Sequence, residues 1–123
     1  MAFDSEQAHR RWISGDAVAR LPSGRLPARS PIDGDRVRIE PLDPAIHAGD
    51  LYQASHGSDA ARQIWDYLPW GPWPDQDLFA TWLKGLAGSS EFIWYAFRSP
   101  VNGRAQGMAC YFDFAPADGV IEI

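Results

Sequence analysis

Four aromatic side chains lie within one short proline-rich stretch, WDYLPWGPWPD at residues 65–75. Prolines and a glycine exclude regular secondary structure in the second half of this stretch. A loop stiffened in this way can present Tyr67, Trp70 and Trp73 as a rigid apolar wall for a ligand. The same rings could instead fill the gap between helices and a sheet, and Trp65 occupies a core-like helical position. The sequence leaves both interpretations open.

Two carboxylates accompany these rings. Asp66 and Asp75 could receive a cationic amine beside the aromatic wall. Aspartate is also a preferred residue at the beginning of a helix, so either side chain could serve only as a solvated cap. The formal net charge of −5 would suit a cationic partner, although surface acidity by itself mainly keeps a protein soluble.

A third carboxylate, Glu122, lies between Ile121 and Ile123 in a predicted strand. Its side chain therefore points to the opposite face from its two apolar neighbours. A carboxylate on a sheet that faces a cleft could take a proton from an ammonium group, directly or through water. Alternation alone also places an exposed acid at such a position, so the residues by themselves do not decide its role.

Histidine and cysteine offer no further reactive group. Of the three histidines, His47 and His56 are nine residues apart on one predicted helix, on opposite sides of its axis, and His9 is remote in sequence. A straight helix cannot bring two such residues to one metal ion. Cys110 alternates with apolar neighbours in a predicted strand, which favours a buried filler over a nucleophile. A single cysteine also excludes an internal disulfide and a cysteine-based zinc site.

Composition limits the class of protein. The length of 123 residues leaves room for one domain, and the charge pattern contains no basic stripe of the kind that binds nucleic acid. The chain has six Trp, four Tyr and six Phe, so many large rings must be buried or must line a site. We found no signal-peptide pattern and no apolar run of membrane-spanning length, and the expected location is the cytoplasm, without membrane contact.

The elements that must position these residues begin after a proline- and glycine-rich segment. Residues 1–35 are predicted to form an extended or partly disordered arm, because prolines and glycines interrupt any long element there. The alternation in RVRIEPL, from residue 36, predicts a half-buried strand. Asp43 and Pro44 predict the beginning of a helix that ends at Gly57. Two more helices are predicted, one capped at 58–59 and one that begins after Asp75 and ends near Gly88. The wide apolar face of that last helix consists of Leu78, Phe79, Trp82, Leu83 and Leu86.

The apolar period then changes to that of strands. EFIWYAFR at 91–98 predicts a strand covered on both faces, Asn102-Gly103 a tight turn, and 104–114 a second strand. Asp118-Gly119 predicts another turn before VIEI begins a third strand. The order is therefore a strand, three helices and an antiparallel meander, an α/β (α+β) class.

A four-stranded sheet with helices on one face would leave its other face and its last edge uncovered. An exposed edge that ends in VIEI is prone to aggregation unless another strand pairs with it. We therefore expect the natural domain to continue beyond Ile123.

From about residue 26 to residue 123 the sequence resembles the GNAT superfamily of N-acetyltransferases, in its RimJ/RimL-like branch. The segments that carry the resemblance are VRIEPLDPAIHAGDLYQASHG, WDYLPWGPWPD, NGRAQGMACYF and DGVIEI. Their order and spacing together are specific, and no single segment is. The resemblance implies that residues 36–123 are the amino-terminal part of a GNAT-like acetyltransferase domain that is truncated in the fourth strand. The carboxy-terminal half that binds acetyl-CoA would then be absent.

The resemblance also implies a reaction, direct transfer of an acetyl group from acetyl-CoA, the co-substrate, to an amine. Glu122 matches a strand position that often holds the general base, and the backbone near Ile121 and Ile123 matches the strand that contacts the pantetheine arm. The loop 65–75 falls where related enzymes build the acceptor pocket, which favours Asp66, Tyr67, Trp70 and Trp73 as acceptor-binding residues. The acceptor is expected to be a protein N-terminus or a small amine.

A second hypothesis belongs to a different class of protein. The chain could be a non-catalytic binding or dimerisation module that uses the aromatic loop and pairs its open sheet edge with a second copy. The fragment is expected to be inactive as an enzyme by itself, because its cofactor half would be missing.

Overall fold

The computed structural model describes residues 25–123. Most of the predicted arm, and His9 with it, lies outside the described residues. Residues 25–31 contain no helix or strand and lead directly into the first strand.

The described residues form a five-stranded antiparallel sheet with helices inserted after its second strand. The strands are β1 (Ile32–Asp33), β2 (Arg38–Pro41), β3 (Ile93–Arg98), β4 (Ala105–Ala115) and β5 (Val120–Glu122). The helices are α1 (Pro44–His56), α2 (Asp59–Arg62), a 3₁₀ helix (Gln63–Tyr67) and α3 (Gln76–Ala87). The strands lie in the sheet in their order along the chain. The predicted order of a strand, three helices and an antiparallel meander is confirmed.

Side-chain caps place the beginnings of the helices. The carboxylates of Asp43 and Asp75 accept hydrogen bonds from the backbone N–H groups of Ala45 (3.0 Å) and Leu78 (2.8 Å), as the sequence predicted. Ser58 caps α2 in the same way. Gly57 follows the end of α1 with an ordinary right-handed backbone. A Cβ atom there would collide with the carbonyl oxygen of Gln53, so close approach and not a left-handed turn requires glycine.

The first strand is the element that the sequence did not predict. Ile32 and Asp33 pair with Ile39 and Arg38 of β2, and Gly34 donates a backbone hydrogen bond to the carbonyl of Val37 at 2.9 Å. This two-residue strand lies inside the segment predicted to be an arm. It is too short to show a period of two, which is the signal on which strand prediction depends.

The two faces of the sheet differ in what covers them. On one face Ala96 lies beside Met108, and this face packs on the helices through a core that includes Phe79 and Leu83. The opposite face carries Tyr95 and its neighbours and contains an apolar groove of about 230 Å³. The residues that line this groove are Ile32, Ile39, Tyr95, Phe97, Ala109, Cys110, Tyr111 and Ile123.

The segment that precedes β1 is held against the end of α3. The guanidinium of Arg29 donates to the carbonyls of Ser89 (2.7 Å), Ala87 (3.3 Å) and Phe92 (3.3 Å). The hydroxyl of Tyr95 donates to the carbonyl of Ala28 at 3.0 Å. The bond to Ala87 satisfies one of the carbonyl groups that α3 leaves free at its C-terminus, and the other bonds hold the segment to the connection between α3 and β3 and to β3 itself. Within residues 25–123, no helix is both long and apolar enough to cross a membrane.

Candidate functional site

Seven rings from three helices and the connecting loop pack together into what we call the aromatic cluster. Its members are Tyr52, His56, Trp65, Trp70, Trp73, Phe79 and Trp82. Among the contacts made by rings of the loop, the shortest distance between ring centroids is 4.2 Å, between Trp73 and Trp82. Trp65 meets Trp73 edge-on at 5.1 Å. Such edge and offset arrangements are the favourable ones for aromatic rings, and they contribute energy beyond the burial of area.

The structure divides the aromatic loop, residues 65–75, into an inner and an outer part. Trp65 is buried, and Trp73 is half-buried against the cluster. Trp70 is 46% exposed and Tyr67 is 91% exposed, so these two rings are available to a ligand. The inner rings therefore fill the space beside the helices, and the outer rings present an apolar surface. The two interpretations of the loop apply to different residues.

The two aspartates near the loop also differ. The carboxylate of Asp75 is engaged as the cap of α3. Asp66 is exposed in the 3₁₀ helix, next to the exposed Tyr67. Of the predicted acceptor-binding residues, Asp66, Tyr67 and Trp70 thus share an exposed stretch, whereas Trp73 anchors it from inside. Their roles in binding stay predictions.

At Gly71 the backbone of the loop lies directly against the rings of Trp73 and Trp65. Gly71 has a φ of +68°, in the left-handed region that glycine adopts without strain. A Cβ atom on Gly71 would lie 2.5 Å from a ring carbon of Trp73 and 3.0 Å from one of Trp65. Glycine is therefore required here for two reasons, the backbone angle and the space taken by the neighbouring rings.

Two adjacent residues at the end of α1 hold the loop through hydrogen bonds. The indole N–H of Trp65 donates to the carbonyl of Ser55 at 3.1 Å. The backbone N–H of Trp73 donates to Nε2 of His56 at 3.0 Å. The sequence interpretation did not identify His56, because its partner is seventeen residues away and no local spacing signals the contact.

Glu122 lies apart from this cluster. It is exposed in β5, where it pairs with Phe112 of β4. The pairing is irregular between Phe112 and Ala115, and Asp113 in that interval has a φ of +48°. Within the described residues 25–123, Glu122 makes no side-chain hydrogen bond to the tryptophans of the aromatic loop. Its role as a base stays a prediction.

A charged cluster that the sequence interpretation missed surrounds Glu40. Its carboxylate accepts two hydrogen bonds from Arg98 (3.1 and 3.0 Å), one from Arg38 (2.9 Å) and one from Nε2 of the buried His47 (2.8 Å). Nδ1 of His47 accepts from the backbone N–H of Asp43, so Nε2 carries the proton. The hydrogen bonds from Arg98 and His47 lower the pKa of Glu40 from its ordinary value of 4.5 to about 2.

The position of Glu40 has a partial signal in the sequence. Alternation in β2 puts Arg38 and Glu40 on one side of a half-buried strand. The structure turns that polar side toward α1, where His47 lies, and an open cleft of about 530 Å³ borders it. Both carboxylate oxygens of Glu40 and both ring nitrogens of His47 are already hydrogen-bonded, and the bonds to Glu40 join β2, β3 and α1 as a structural unit.

The described residues contain no group of three or more metal-ligating side chains. His47 and His56 have separate partners. Cys110 is half-buried, and burial raises the pKa of its thiol. A thiol that ionises less readily is a weaker nucleophile at neutral pH.

Solved structures of known proteins have a fold similar to that of the described residues. A GCN5-related N-acetyltransferase from Brucella melitensis matches with a TM-score of 0.77 and 27% identity, over 85% of this chain and 47% of that one. A probable acetyltransferase of the GNAT family from Chromobacterium violaceum matches with a TM-score of 0.72 and 30% identity, over 85% of this chain and 52% of that one. No protein-family model matches the sequence, and no curated protein is detectably similar to it.

The described residues therefore have a GNAT-like fold, and their structural neighbours are GNAT-family acetyltransferases. This likeness supports the GNAT superfamily, as the sequence resemblance predicted. The chain spans about half the length of the two solved structures.

Proposed function

We propose that this chain contributes the acceptor side of an N-acetyltransferase, which moves an acetyl group from acetyl-CoA to a primary amine. The observation that carries the proposal is the GNAT-like fold, shared over 85% of the chain with proteins of that family. The finer assignment to the RimJ/RimL-like branch belongs to the same proposal and rests on the sequence resemblance. The absence of the acetyl-CoA half from this chain is also part of the proposal. Its support is that the chain matches only about half the length of the solved structures.

The proposed acceptor site is the exposed part of the aromatic loop. Trp70 and Tyr67 present ring surface to solvent, and the exposed Asp66 directly precedes Tyr67 in the chain. A cation is attracted to the face of an aromatic ring and to a nearby carboxylate. A protonated amine on an apolar stem would satisfy both features. The acceptor is a protein N-terminus or a small amine, and both have this chemistry.

The proposed chemistry is direct attack of the amine on an acetyl thioester. The amine nitrogen forms a bond to the carbonyl carbon, the carbon–sulfur bond breaks, and the sulfur leaves with coenzyme A as a thiolate that takes up the proton released from the acylated nitrogen. The amine must lose a proton first, and Glu122, exposed in β5, is the proposed acceptor of that proton, directly or through water. The outer edge of β5, near Ile121 and Ile123, is the proposed place where backbone groups meet the pantetheine arm.

Binding of an amine tests the acceptor site on the chain as it stands. We expect a tripeptide that begins with a free alanine amine to change the tryptophan fluorescence saturably, and its N-acetylated form to have no effect. Trp70→Ala should weaken the binding several-fold. Val101→Ala, which truncates another exposed apolar residue far from the loop in sequence, should not. A parallel titration with 2-phenylethylamine distinguishes a small amine from a protein N-terminus. Equal responses to the free and acetylated peptides would overturn the acceptor assignment.

Calorimetry with acetyl-CoA tests the proposal that the cofactor half is absent. We expect no tight binding to the chain of 123 residues. Saturable, tight binding would contradict that part of the proposal while leaving the acetyltransferase assignment in place. In a form that transfers acetyl groups, Glu122→Gln should lower the rate, and an unchanged rate would remove Glu122 as the base.

The exposed apolar residues of β5 favour one second candidate, a dimerisation module. In β5, Val120 is 53% and Ile121 40% exposed, and the adjacent Ile123 is 83% exposed; β5 is one of the two edge strands of the described sheet. Such an edge can pair with a second copy. Analytical ultracentrifugation should then detect a dimer that Ile121→Lys dissociates. A monomer at all concentrations would exclude this candidate. The cytoplasmic location stays a prediction, and so does the absence of nucleic-acid and membrane partners.

A further inference from the structure

We propose that His56 is the positioning residue of the aromatic loop, and that its neutral imidazole ring fixes the loop by accepting the backbone N–H of Trp73. The positioning is independent of the proposed function. Its consequence for the amine acceptor rests on that function, because the outer rings of the same loop form the proposed acceptor surface.

The hydrogen bonds around His56 determine which ring nitrogen carries the proton. The hydroxyl of Ser55 donates to the carbonyl of Leu51 at 2.7 Å, so its single hydrogen is already used. Nδ1 of His56 lies 2.8 Å from the oxygen of that hydroxyl and must therefore be the donor. Nε2 is then unprotonated, as required of the acceptor for the N–H of Trp73 at 3.0 Å. The bonds are consistent only with the neutral ring that is protonated on Nδ1.

Packing holds the ring in the orientation that these bonds need. His56 is 8% exposed and stacks on Tyr52 with 4.3 Å between ring centroids and 14° between planes. Phe79 meets it edge-on at 5.3 Å, and Trp65 lies at 5.4 Å. Rings on three sides prevent the imidazole from turning away, so Nε2 keeps its direction toward the loop.

The loop is thereby attached to α1 near both of its ends. Ser55 holds Trp65 through its carbonyl, and His56 holds Trp73 through its ring. Between them, residues 68–72 belong to no helix or strand and contain Trp70, whose ring centroid lies 6.0 Å from that of Trp82. The position of Trp70 therefore depends on the two attachments, and the bond from Trp73 is the one that a change in protonation can break.

Protonation of His56 would make both ring nitrogens donors, and two N–H groups would then face each other between His56 and Trp73. Burial is the main cause that lowers the pKa of His56, and the positive charge of Arg62 on α2 lowers this pKa further. A hydrogen bond with the backbone of Tyr52 acts in the opposite direction and raises it. The groups packed against the ring from the other elements are the uncharged aromatic rings of Trp65, Trp73 and Phe79. Because the folded state favours the neutral ring, the attachment is complete above the ordinary imidazole pKa of about 6.5 and is lost as the pH falls below it.

Two substitutions separate the hydrogen bond from the packing. His56→Gln keeps an acceptor near the position of Nε2 but removes the ring, and His56→Phe keeps a ring but removes the acceptor. We expect amide hydrogen exchange at Trp73, measured by NMR, to accelerate about tenfold in His56→Phe and to change less in His56→Gln. Exchange at Ala96 in the core of β3 is the internal reference. The opposite ranking of the two variants would show that packing alone positions the loop and would overturn the proposal.

The unmodified protein provides a second measurement that does not depend on a variant that folds. As the pH falls, protection of the Trp73 amide should be lost with the same midpoint as the imidazole signals of His56, while protection at Ala96 persists. Protection that is independent of the His56 titration would overturn the proposal. Failure of the amine titration at neutral pH, with both exchange results as expected, would contradict the proposed function and leave the positioning role intact.

Discussion

The aromatic loop and strand β5 contrast in how firmly each is held. The loop lacks regular secondary structure over much of its length, yet stacked rings and the bonds to Ser55 and His56 attach it to the helices. Strand β5 has regular structure, but its three residues are exposed and its pairing with β4 is irregular. The loop is thus held mainly by side-chain contacts, whereas β5 is held mainly by its backbone pairing with β4.

The contrast bears on the proposed reaction, because the two regions carry its two halves. A surface that is already fixed loses little conformational entropy when a ligand binds, and the loop meets this condition at Trp70. Glu122 lies on a strand whose three residues are all exposed. We infer that the described residues order the acceptor side and leave the proposed base less restrained.

The largest expected effect comes from removing a central ring of the cluster. Phe79 is 1% exposed, and Phe79→Ala should lower the free energy of unfolding by about 3–5 kcal/mol, since it removes apolar contact and leaves a cavity. Ile121→Ala in β5 should cost less than about 1 kcal/mol, because Ile121 is 40% exposed. Urea denaturation of both variants measures the difference. Equal losses would contradict the contrast between the two regions.

The next effect separates backbone strain from crowding within the loop. Gly71→Ala should cost about 2–4 kcal/mol, since alanine would be strained at a φ of +68° and its Cβ would overlap the rings of Trp73 and Trp65. Gly103→Ala is the matched control. Gly103 has a φ of +69° with no atom within 4 Å of an added Cβ, so only the strain of about 1 kcal/mol applies. Similar losses in the two variants, measured by thermal unfolding, would show that the rings yield easily to the added methyl group.

A smaller effect is expected when two glutamates are replaced, one that is hydrogen-bonded in the charged cluster and one that is exposed in β5. Glu40→Gln should cost roughly 2 kcal/mol, because Arg98 and His47 lose a charged partner. Glu122→Gln should change the free energy of unfolding by less than about 0.5 kcal/mol, because Glu122 is exposed. In a form that transfers acetyl groups, the rate should respond in the reverse order. A loss of stability in Glu122→Gln that matches Glu40→Gln would mean that β5 is more firmly held than its exposure indicates.

The smallest expected effect is the change in the free energy of unfolding with pH. The pKa of Glu40 is lowered to about 2, so its stabilising contribution is complete above its ordinary pKa of 4.5 and is lost as the pH falls toward 2. Urea denaturation at a series of acidic pH values should show this loss in the unmodified protein and a smaller one in Glu40→Gln. Identical pH profiles for the two proteins would contradict the assignment of the effect to Glu40.

Prediction from the sequence succeeded where a signal and its partner are neighbours along the chain. Asp43 and Asp75 cap their helices within two or three residues, and the turns at Asn102-Gly103 and Asp118-Gly119 separate β3, β4 and β5 as expected. Prediction was incomplete for the aromatic loop, whose composition indicated both a wall and a filler. Exposure differs between Trp70 and Trp73 because of what packs on them, and spacing does not contain that information.

The sequence by itself thus determined the order of elements, the ends of the helices and the GNAT-like resemblance, because caps, turns and apolar periods act over a few residues. Only the tertiary structure decided the pairing of β1 with β2, the bonds from Arg98 and His47 to Glu40, and the bond from Trp73 to His56. Glu40 and Arg98 are 58 residues apart, and His56 and Trp73 are seventeen apart. Contacts of that kind form only when the sheet and helices pack together, so no local pattern predicts them.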